Sequence, residues 1–314
     1  MQQLGCSICS ARPRVPRVAT SSRSPTRSRL DDHSTHQPTE RTLEHVSHQS
    51  VQEVLGDRRW LVLTGAGVST DSGIPDYRGP GSPVRTPMTY QDFVRTPEGR
   101  QRYWARAHVG WSRMRGAQPN ATHHALVDLE QLGRLTGLVT QNVDGLHERA
   151  GHRDLIDLHG RIDRVICLQC RELTPRSDLH ARLSLLNPGY ESRVGEVAPD
   201  GDVVLDDTAD FRVAECRACG GDLKPDVVFF GENVPKDRVE RSYALVAEAE
   251  ALVVLGSSLQ VMSGLRFVRA AHKRGIPIAI INRGTTRGDD LATVKLEAGC
   301  AETLAALTGT AAPA

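Results

Sequence analysis

Apolar positions in this chain follow two rhythms. Trp60-Leu61-Val62-Leu63-Thr64 is a short unbroken apolar run that stops at Gly65-Ala66-Gly67. It reads as a parallel strand buried on both faces and feeding a glycine turn. Gly137-Leu138-Val139-Thr140, Ala251-Leu252-Val253-Val254-Leu255 and the run Ile276 to Ile281 read the same way. They stop at Gln141-Asn142-Val143-Asp144, Gly256-Ser257-Ser258 and Asn282-Arg283-Gly284. Between them the spacing turns helical. Leu43, Val46, Val54 and Leu55 form one stripe in a helix from about Glu40 to Leu55, ended by Gly56. Thr89 to Trp111 is helical around Phe93, Tyr103 and Trp104. Asn120 caps a helix with Leu126, Leu129 and Leu132 on one face, and a further helix runs from about Gly264 to Arg274. Strands alternating with helices, each strand ending in Gly, Asn or Ser, predict an α/β fold. It is a Rossmann-like, doubly wound parallel sheet with its ligand at the strand ends.

Two stretches break the rhythm. Pro80 to Pro87 is a loop rich in breakers. The segment from Cys167 to Cys219 carries Pro175, Pro188, Pro199 and an acidic run from Asp200 to Asp210, and reads as an inserted small lobe. The α/β pattern is expected to resume at Val227-Val228-Phe229-Phe230. At 314 residues, about two domains are the prior. The expected division is a doubly wound sheet domain over 40–160 and 226–305, an inserted small lobe over 161–225, and tails at 1–39 and 306–314.

Composition sharpens this picture at the N-terminus. The formal net charge is +1, yet residues 1–48 hold seven basic against four acidic residues and the remainder 32 against 34. The first 30 residues hold six arginines, six serines and no acid. Such a tail is expected to be disordered. It is a solvated extension, an upstream start, or a mitochondrial transit peptide, and it lacks the apolar core of a secretory signal. A cytoplasmic bacterial protein is therefore expected, with a mitochondrial one as the alternative. A slightly acidic folded region argues against a nucleic-acid partner, and no apolar run approaches the length of a membrane span. Seven cysteines without a secretory signal are not a disulfide scaffold.

Gly65-Ala66-Gly67 alone is a weak sign of dinucleotide binding. Thr70 stands where a third glycine would fall, which disfavours an ordinary nicotinamide dehydrogenase. The longer run Gly65-Ala66-Gly67-Val68-Ser69-Thr70-Asp71-Ser72-Gly73-Ile74-Pro75-Asp76-Tyr77-Arg78-Gly79 is far more specific, and resembles the NAD-binding signature of the sirtuins, the NAD-dependent protein deacylases. Thr140 to His147 resembles their second signature and Leu158-His159-Gly160 their catalytic histidine motif. Lys224 to Glu232, Gly256-Ser257-Ser258-Leu259 and Ile281-Asn282-Arg283 follow in the family's order, so the resemblance covers roughly residues 40–305. Arg102 to Arg106 and Pro199 to Val203 look most like the class II branch, which holds a mitochondrial human type and bacterial relatives.

Cys167-Leu168-Gln169-Cys170 and Cys216-Arg217-Ala218-Cys219 are two C-x-x-C pairs. Four thiolates on two knuckles would close a tetrahedral Zn²⁺ shell with no open position, so the metal is read as structural; redox-active pairs are the alternative. Cys6 and Cys9 read as incidental thiols.

The resemblance implies the chemistry. The acyl oxygen of an acyl-lysine attacks C1′ of the nicotinamide ribose of NAD, and nicotinamide leaves. A base then frees a ribose hydroxyl to attack the acyl carbon, and water yields lysine and O-acyl-ADP-ribose. By resemblance His159 is the base, a role that suits an imidazole. Asn142 and Asp144 organise the ribose and a water. Asp76 and the Ile74 backbone hold the carboxamide, and Tyr77, where phenylalanine is usual, covers the sugar. Gly65, Ala66, Gly67, Ser69, Thr70, Pro75, Arg78 and Gln141 complete that half of the NAD site. Gly256, Ser257, Ser258, Asn282, Arg283, Gly284 and Cys300 complete the adenosine half. Val228, Phe229, Phe230, Gly231 and Glu232 are expected as an edge strand to which a substrate peptide adds, opposite Val261-Met262-Ser263. His147 and His152 are expected at the surface or in loops. The function implied is protein-lysine deacetylation or deacylation on acylated proteins. The alternative is ADP-ribosyl transfer, or removal of lipoyl or long-chain acyl groups, on the same fold.

Overall fold

The computed structural model describes residues 47–79, 87–193, 195, 201–205 and 207–308. Expectations for the N-terminal tail, Cys6, Cys9, Leu43, Val46, most of the Pro80 to Pro87 loop, Pro199 and the last six residues lie outside these.

The described chain opens with α1 (His48–Leu55) and β1 (Trp60–Thr64). Two 3-10 turns follow, Ala66–Val68 and Thr70–Ser72. Then come α2 (Tyr90–Arg95), α3 (Pro97–Gly116), α4 (Ala121–Gln131), β2 (Leu135–Thr140), α5 (Leu146–Ala150) and β3 (Leu155–Asp157). The expected helix from Thr89 to Trp111 is thus two, because Pro97 starts a new helix whose cap is Thr96. Next are β4 (Gly160–Cys167), β5 (Leu173–Pro175), α6 (Arg176–Leu186) and β6 (Leu223–Val227). The chain continues with α7 (Lys236–Glu248), β7 (Ala251–Leu255), α8 (Met262–Arg274), β8 (Ile278–Ile281), β9 (Val294–Leu296) and α9 (Cys300–Thr308).

Six strands form one parallel sheet in the order β3-β2-β1-β7-β8-β9. Successive residues of a strand enter opposite cores, as the pleat requires. Trp60, Val62, Val253 and Leu255 pack with Val51, Leu55, Leu126, Leu129 and Leu304 of α1, α4 and α9. Leu61, Leu63, Leu252 and Val254 pack on the other face with Val246, Leu265, Phe267 and Val268 of α7 and α8. Helices on both faces explain why these strands read as continuous apolar runs. Strand order turns back between β1 and β7, so a crevice opens beyond their carboxyl ends.

A second sheet, β5-β4-β6, is antiparallel. It takes in Gly160 and Val227, just outside the expected lobe limits. Its core is shared with α2 and α3: Phe93, Tyr103 and Trp104 pack with Val165, Leu183, Phe211 and Leu223. Trp104 Nε1 donates to the Leu223 carbonyl at 2.9 Å.

Two expectations need correction. Val227 ends β6 of the small sheet, and Val228 to Glu232 is a loop rather than an edge strand. Its backbone makes one isolated bridge, Thr89 with Phe230, and one hydrogen bond from Val228 N–H to His159 O. Glu232 Oε2 accepts from the Phe229 N–H at 2.9 Å, which takes away a donor a ladder would use, and Gly231 has φ +79°. Leu132 is not on the buried face of α4. It sits one residue past the helix end and is 73% exposed.

Candidate active site

A cavity of about 620 Å³ occupies the crevice beyond β1 and β7. It is lined by Gly65–Gly67 and Ser69, Ile74 and Asp76–Gly79, Gln141–Asp144 and His159. Val228–Val234, Gly256–Ser263, Arg266 and Asn282–Thr285 complete the wall. The four strand-end motifs of the sequence therefore converge on one space. Thr70, Pro75 and Cys300 are the expected NAD-site residues that do not line it. Thr70 Oγ1 turns back to donate to the Gly67 carbonyl at 3.1 Å. Cys300 heads α9, buried, and burial pushes its thiol up to about 12.

The glycine turn is clamped to the end of β7. Gly65 N–H donates to Leu255 O at 3.0 Å and Gly67 N–H to Gly256 O at 2.9 Å. A Cβ on Gly65 would stand 2.7 Å from Ser257 Cβ, and one on Gly67 2.9 Å from Gly256 Cα. Protein packing alone therefore demands these glycines, before any ligand is considered.

Past β2, a chain of hydrogen bonds fixes the two polar residues. Asn142 Nδ2 donates to Gly65 O at 3.1 Å and to Ser69 Oγ at 3.0 Å. Ser69 Oγ donates in turn to Asp144 Oδ2 at 2.7 Å, and the other Asp144 oxygen accepts from Leu146 N–H at 2.8 Å. Burial raises the Asp144 pKa, and these hydrogen bonds pull it back. Gln141 ties this wall to β7, its Oε1 accepting from Ser257 Oγ at 2.7 Å.

His159 follows β3. Its Nδ1 lies 2.9 Å from the Gln141 carbonyl, which can only accept, so Nδ1 carries the proton. Nε2 is then a bare lone pair, and it accepts from Ser263 Oγ at 2.7 Å. Burial, with Arg238 and Arg266 nearby, lowers the pKa to about 4 against the Gln141 carbonyl, so the ring is neutral at pH 7. Ser263, at the start of α8, was expected only in the peptide channel. Its bond to His159 spans 104 residues and has no signal in sequence. Arg266, Asn233, Val234, Gln260 and Thr285 also line the cavity unannounced. Leu259 does so with φ +54°, a strained left-handed conformation for a leucine.

On the opposite rim, Tyr77 and Phe230 meet edge to face at 6.2 Å. Asp76 Oδ1 accepts from Gly79 N–H at 2.6 Å and caps the turn that presents Tyr77 and Arg78, of which Arg78 is exposed. The loop from Val228 to Glu232 is anchored at both ends. Val228 N–H donates to His159 O at 2.8 Å, and the half-buried Glu232 is paired with buried Lys224 at 3.0 Å.

His147 and His152 are buried; His152 lies in the loop after α5, within expectation, while His147 sits inside α5, contrary to it. His147 Nε2 lies 3.0 Å from Thr64 Oγ1, whose own proton goes to Thr140 Oγ1 at 2.8 Å, so Nε2 donates. This cluster holds the ends of β1 and β2 together beneath the cavity.

Away from the cavity, Cys167, Cys170, Cys216 and Cys219 converge, their sulfurs within 4.8 Å of one another. Sγ atoms of Cys167 and Cys219 are 3.5 Å apart, and those of Cys170 and Cys216 3.7 Å. That is too long for a disulfide and close to the roughly 3.8 Å edge of a tetrahedron with Zn–S bonds of about 2.3 Å. The two knuckles match: Arg171 N–H donates to Cys167 O at 3.1 Å and Gly220 N–H to Cys216 O at 2.9 Å.

Comparison with known proteins places this arrangement. The Sir2 family model matches residues 65–263. The chain belongs to the Sir2 family. It is 57% identical over 265 residues to NAD-dependent protein deacetylase 1 of Mycobacterium avium, covering 83% of this chain and 94% of that one. It is 52% identical over 254 residues to the mitochondrial NAD-dependent protein lipoamidase sirtuin-4 of Homo sapiens, covering 79% and 81%. A solved Sir2 complex with p53 peptide and NAD⁺ superposes with a TM-score of 0.69 at 30% identity, covering 84% of this sirtuin and 98% of that chain.

Proposed function

We propose that this sirtuin is an NAD-dependent protein-lysine deacetylase, releasing nicotinamide, O-acyl-ADP-ribose and free lysine. The carrying observation is the fixed tautomer of His159. With Nδ1 committed to Gln141, the basic Nε2 shares the cavity with Asn142, Asp144 and the glycine turn. The deacetylase names of close bacterial relatives support the reading. They also support a bacterial, cytoplasmic setting. Among the described residues no helix is long and apolar enough to cross a membrane.

NAD, as co-substrate, supplies the electrophilic ribose carbon. The chain's own residues do the rest. His159 Nε2 takes the proton of the attacking ribose hydroxyl, its neutral form secured by burial. Asn142 and Asp144, locked through Ser69, orient the ribose. Asp76 and the Ile74 backbone take the carboxamide, and Tyr77 against Phe230 excludes water. Gly256–Ser258 and Asn282–Gly284 hold the adenosine half. The substrate peptide runs along the anchored Val228–Glu232 loop, opposite Val261. The proposed division is 40–160 with 226–305 around the cavity and 161–225 around the cysteines, its edges widened to Gly160 and Val227 where the small sheet reaches past them. There the four thiolates would hold one structural Zn²⁺.

A second reading, removal of lipoyl or other long acyl groups, is favoured by the sirtuin-4 similarity. One experiment covers both. NAD is incubated with acetyl-, succinyl-, lipoyl- and long-chain acyl-lysine peptides, and nicotinamide release is followed for wild type and His159→Ala. The variant is expected to bind NAD and lose peptide-dependent release; full turnover by it would sink the mechanism.

A further inference from the structure

The described residues hold a second set of metal-ligand side chains, and none of its members lines the cavity or belongs to the cysteine cluster. His108 comes from α3, His180 from α6 and Glu191 from the 3-10 turn Tyr190–Ser192. His108 Nε2 lies 3.4 Å and His180 Nε2 3.7 Å from the same Glu191 oxygen. One ligand atom from each of the three falls within 4.8 Å of the others. Around an ion with bonds of about 2.0–2.1 Å, tetrahedral ligand atoms stand about 3.4 Å apart.

The independent observation is His108 itself. Its side chain is wholly inaccessible, and neither ring nitrogen has a hydrogen-bond partner. Buried polar groups are normally satisfied, so an orphaned imidazole aimed at a second imidazole and a carboxylate asks for a reason. The rings of His108 and His180 lie 4.5 Å apart, tilted rather than stacked.

We propose that His108, His180 and Glu191 form a second metal site, taking Zn²⁺ or a similar borderline divalent ion with water in the fourth position. Two imidazoles and one carboxylate are the donor set of zinc sites that keep an open position. Glu191 is 46% exposed and offers the way in. Ser184 Oγ donates to the same carboxylate oxygen and steadies it, as outer partners of metal ligands do. Arg176 opposes the ion. It is buried against Trp104 and Trp111 and acts electrostatically on both histidines, as Arg115 does on His180. This site is therefore weaker than the four thiolates and fills second. Once filled, it ties α6 and the turn after it to α3.

The test uses the full chain without an affinity tag, equilibrated with free Zn²⁺ and assayed for bound metal by elemental mass spectrometry. Two zinc ions per chain are expected, and one for either His180→Asn or Glu191→Gln. Both variants spare the buried His108. Co²⁺ gives a second readout. Intense thiolate charge-transfer absorption reports the cysteine site and the fold in every variant. The second equivalent adds only weak visible bands, which both variants lose. One ion in wild type, a second ion that survives both substitutions, or a second ion with thiolate absorption overturns the proposal.

Discussion

Gly65→Ala tests whether the glycine turn is there for the protein or for its ligand. Gly65 has φ −133°, which alanine adopts freely, so backbone strain plays no part. The cost is contact. The new Cβ would meet Ser257 Cβ at 2.7 Å, Gly256 O at 2.8 Å and Ser257 Cα at 2.9 Å. These atoms are backbone or fixed to it, so β1 and β7 must part by several tenths of an ångström at their carboxyl ends. Overpacking of this kind costs about 1–3 kcal/mol. At about 2–4 °C per kcal/mol for a folded unit of this size, the melting temperature falls by roughly 2–12 °C. Activity suffers further, because Gly65 O anchors Asn142, and through Ser69 also Asp144. A shift approaching 1 Å in such a group can cost about 100-fold in rate. Thermal unfolding by circular dichroism and nicotinamide release from an acetyl-lysine peptide read the two effects. Gly116→Ala, at the end of α3 with nothing within 4 Å, is the control and leaves both unchanged or slightly improved. Wild-type melting and turnover for Gly65→Ala would refute the reasoning.

Further expectations concern the base, the metal and pH. Ser263→Ala removes the hydroxyl that donates to His159 Nε2. That lone pair must be freed before it can take the ribose proton, so a net hydrogen bond of about 0.5–1.5 kcal/mol predicts a rise of roughly 2- to 13-fold in kcat/KM, with NAD affinity unchanged by calorimetry. A loss would show that the serine acts instead by holding the ring. Cys167→Ser with Cys219→Ser is expected to abolish the thiolate charge-transfer absorption of the Co²⁺-loaded chain and lower its melting temperature; thiolate absorption of wild-type intensity would contradict the four-thiolate site. Stability should fall on acidification. His108, His123 and His159 are held by burial at about 4, 3 and 4, and His147 well below its ordinary value. Unfolded histidines bind protons below about 6.5 while the folded ones do not, so stability present above that pH drains away as pH falls toward 4. Asp157, raised to about 6, and Asp144, also raised by burial, act in the opposite sense but are two groups against four. A melting temperature flat from pH 7 to 4.5 would contradict the burial of these rings.

The four strand-end motifs were legible because each is local. An apolar run buried on both faces and a following glycine or asparagine fix a strand and its turn whatever packs around them. The C-x-x-C pairs were legible for the same reason, since a knuckle is a short-range turn. Leu132 and the Val228–Glu232 segment misled, for both have apolar residues at plausible spacings. Burial at Leu132 depended on where α4 ends, and strand pairing past Val227 on where Glu232 points. Buried His147 and His152 were invisible because a histidine's place in a core is decided by neighbours such as Thr64, distant in sequence. By itself the sequence determined the alternation of elements, the glycine turn, the zinc-type cysteines and the family's motifs. Tertiary structure alone decided which groups share a cavity, the tautomer of His159 through Gln141 and Ser263, and the meeting of His108, His180 and Glu191. Hydrogen bonds and ligand sets of this kind join residues by distance in space, which one-dimensional periodicity does not encode.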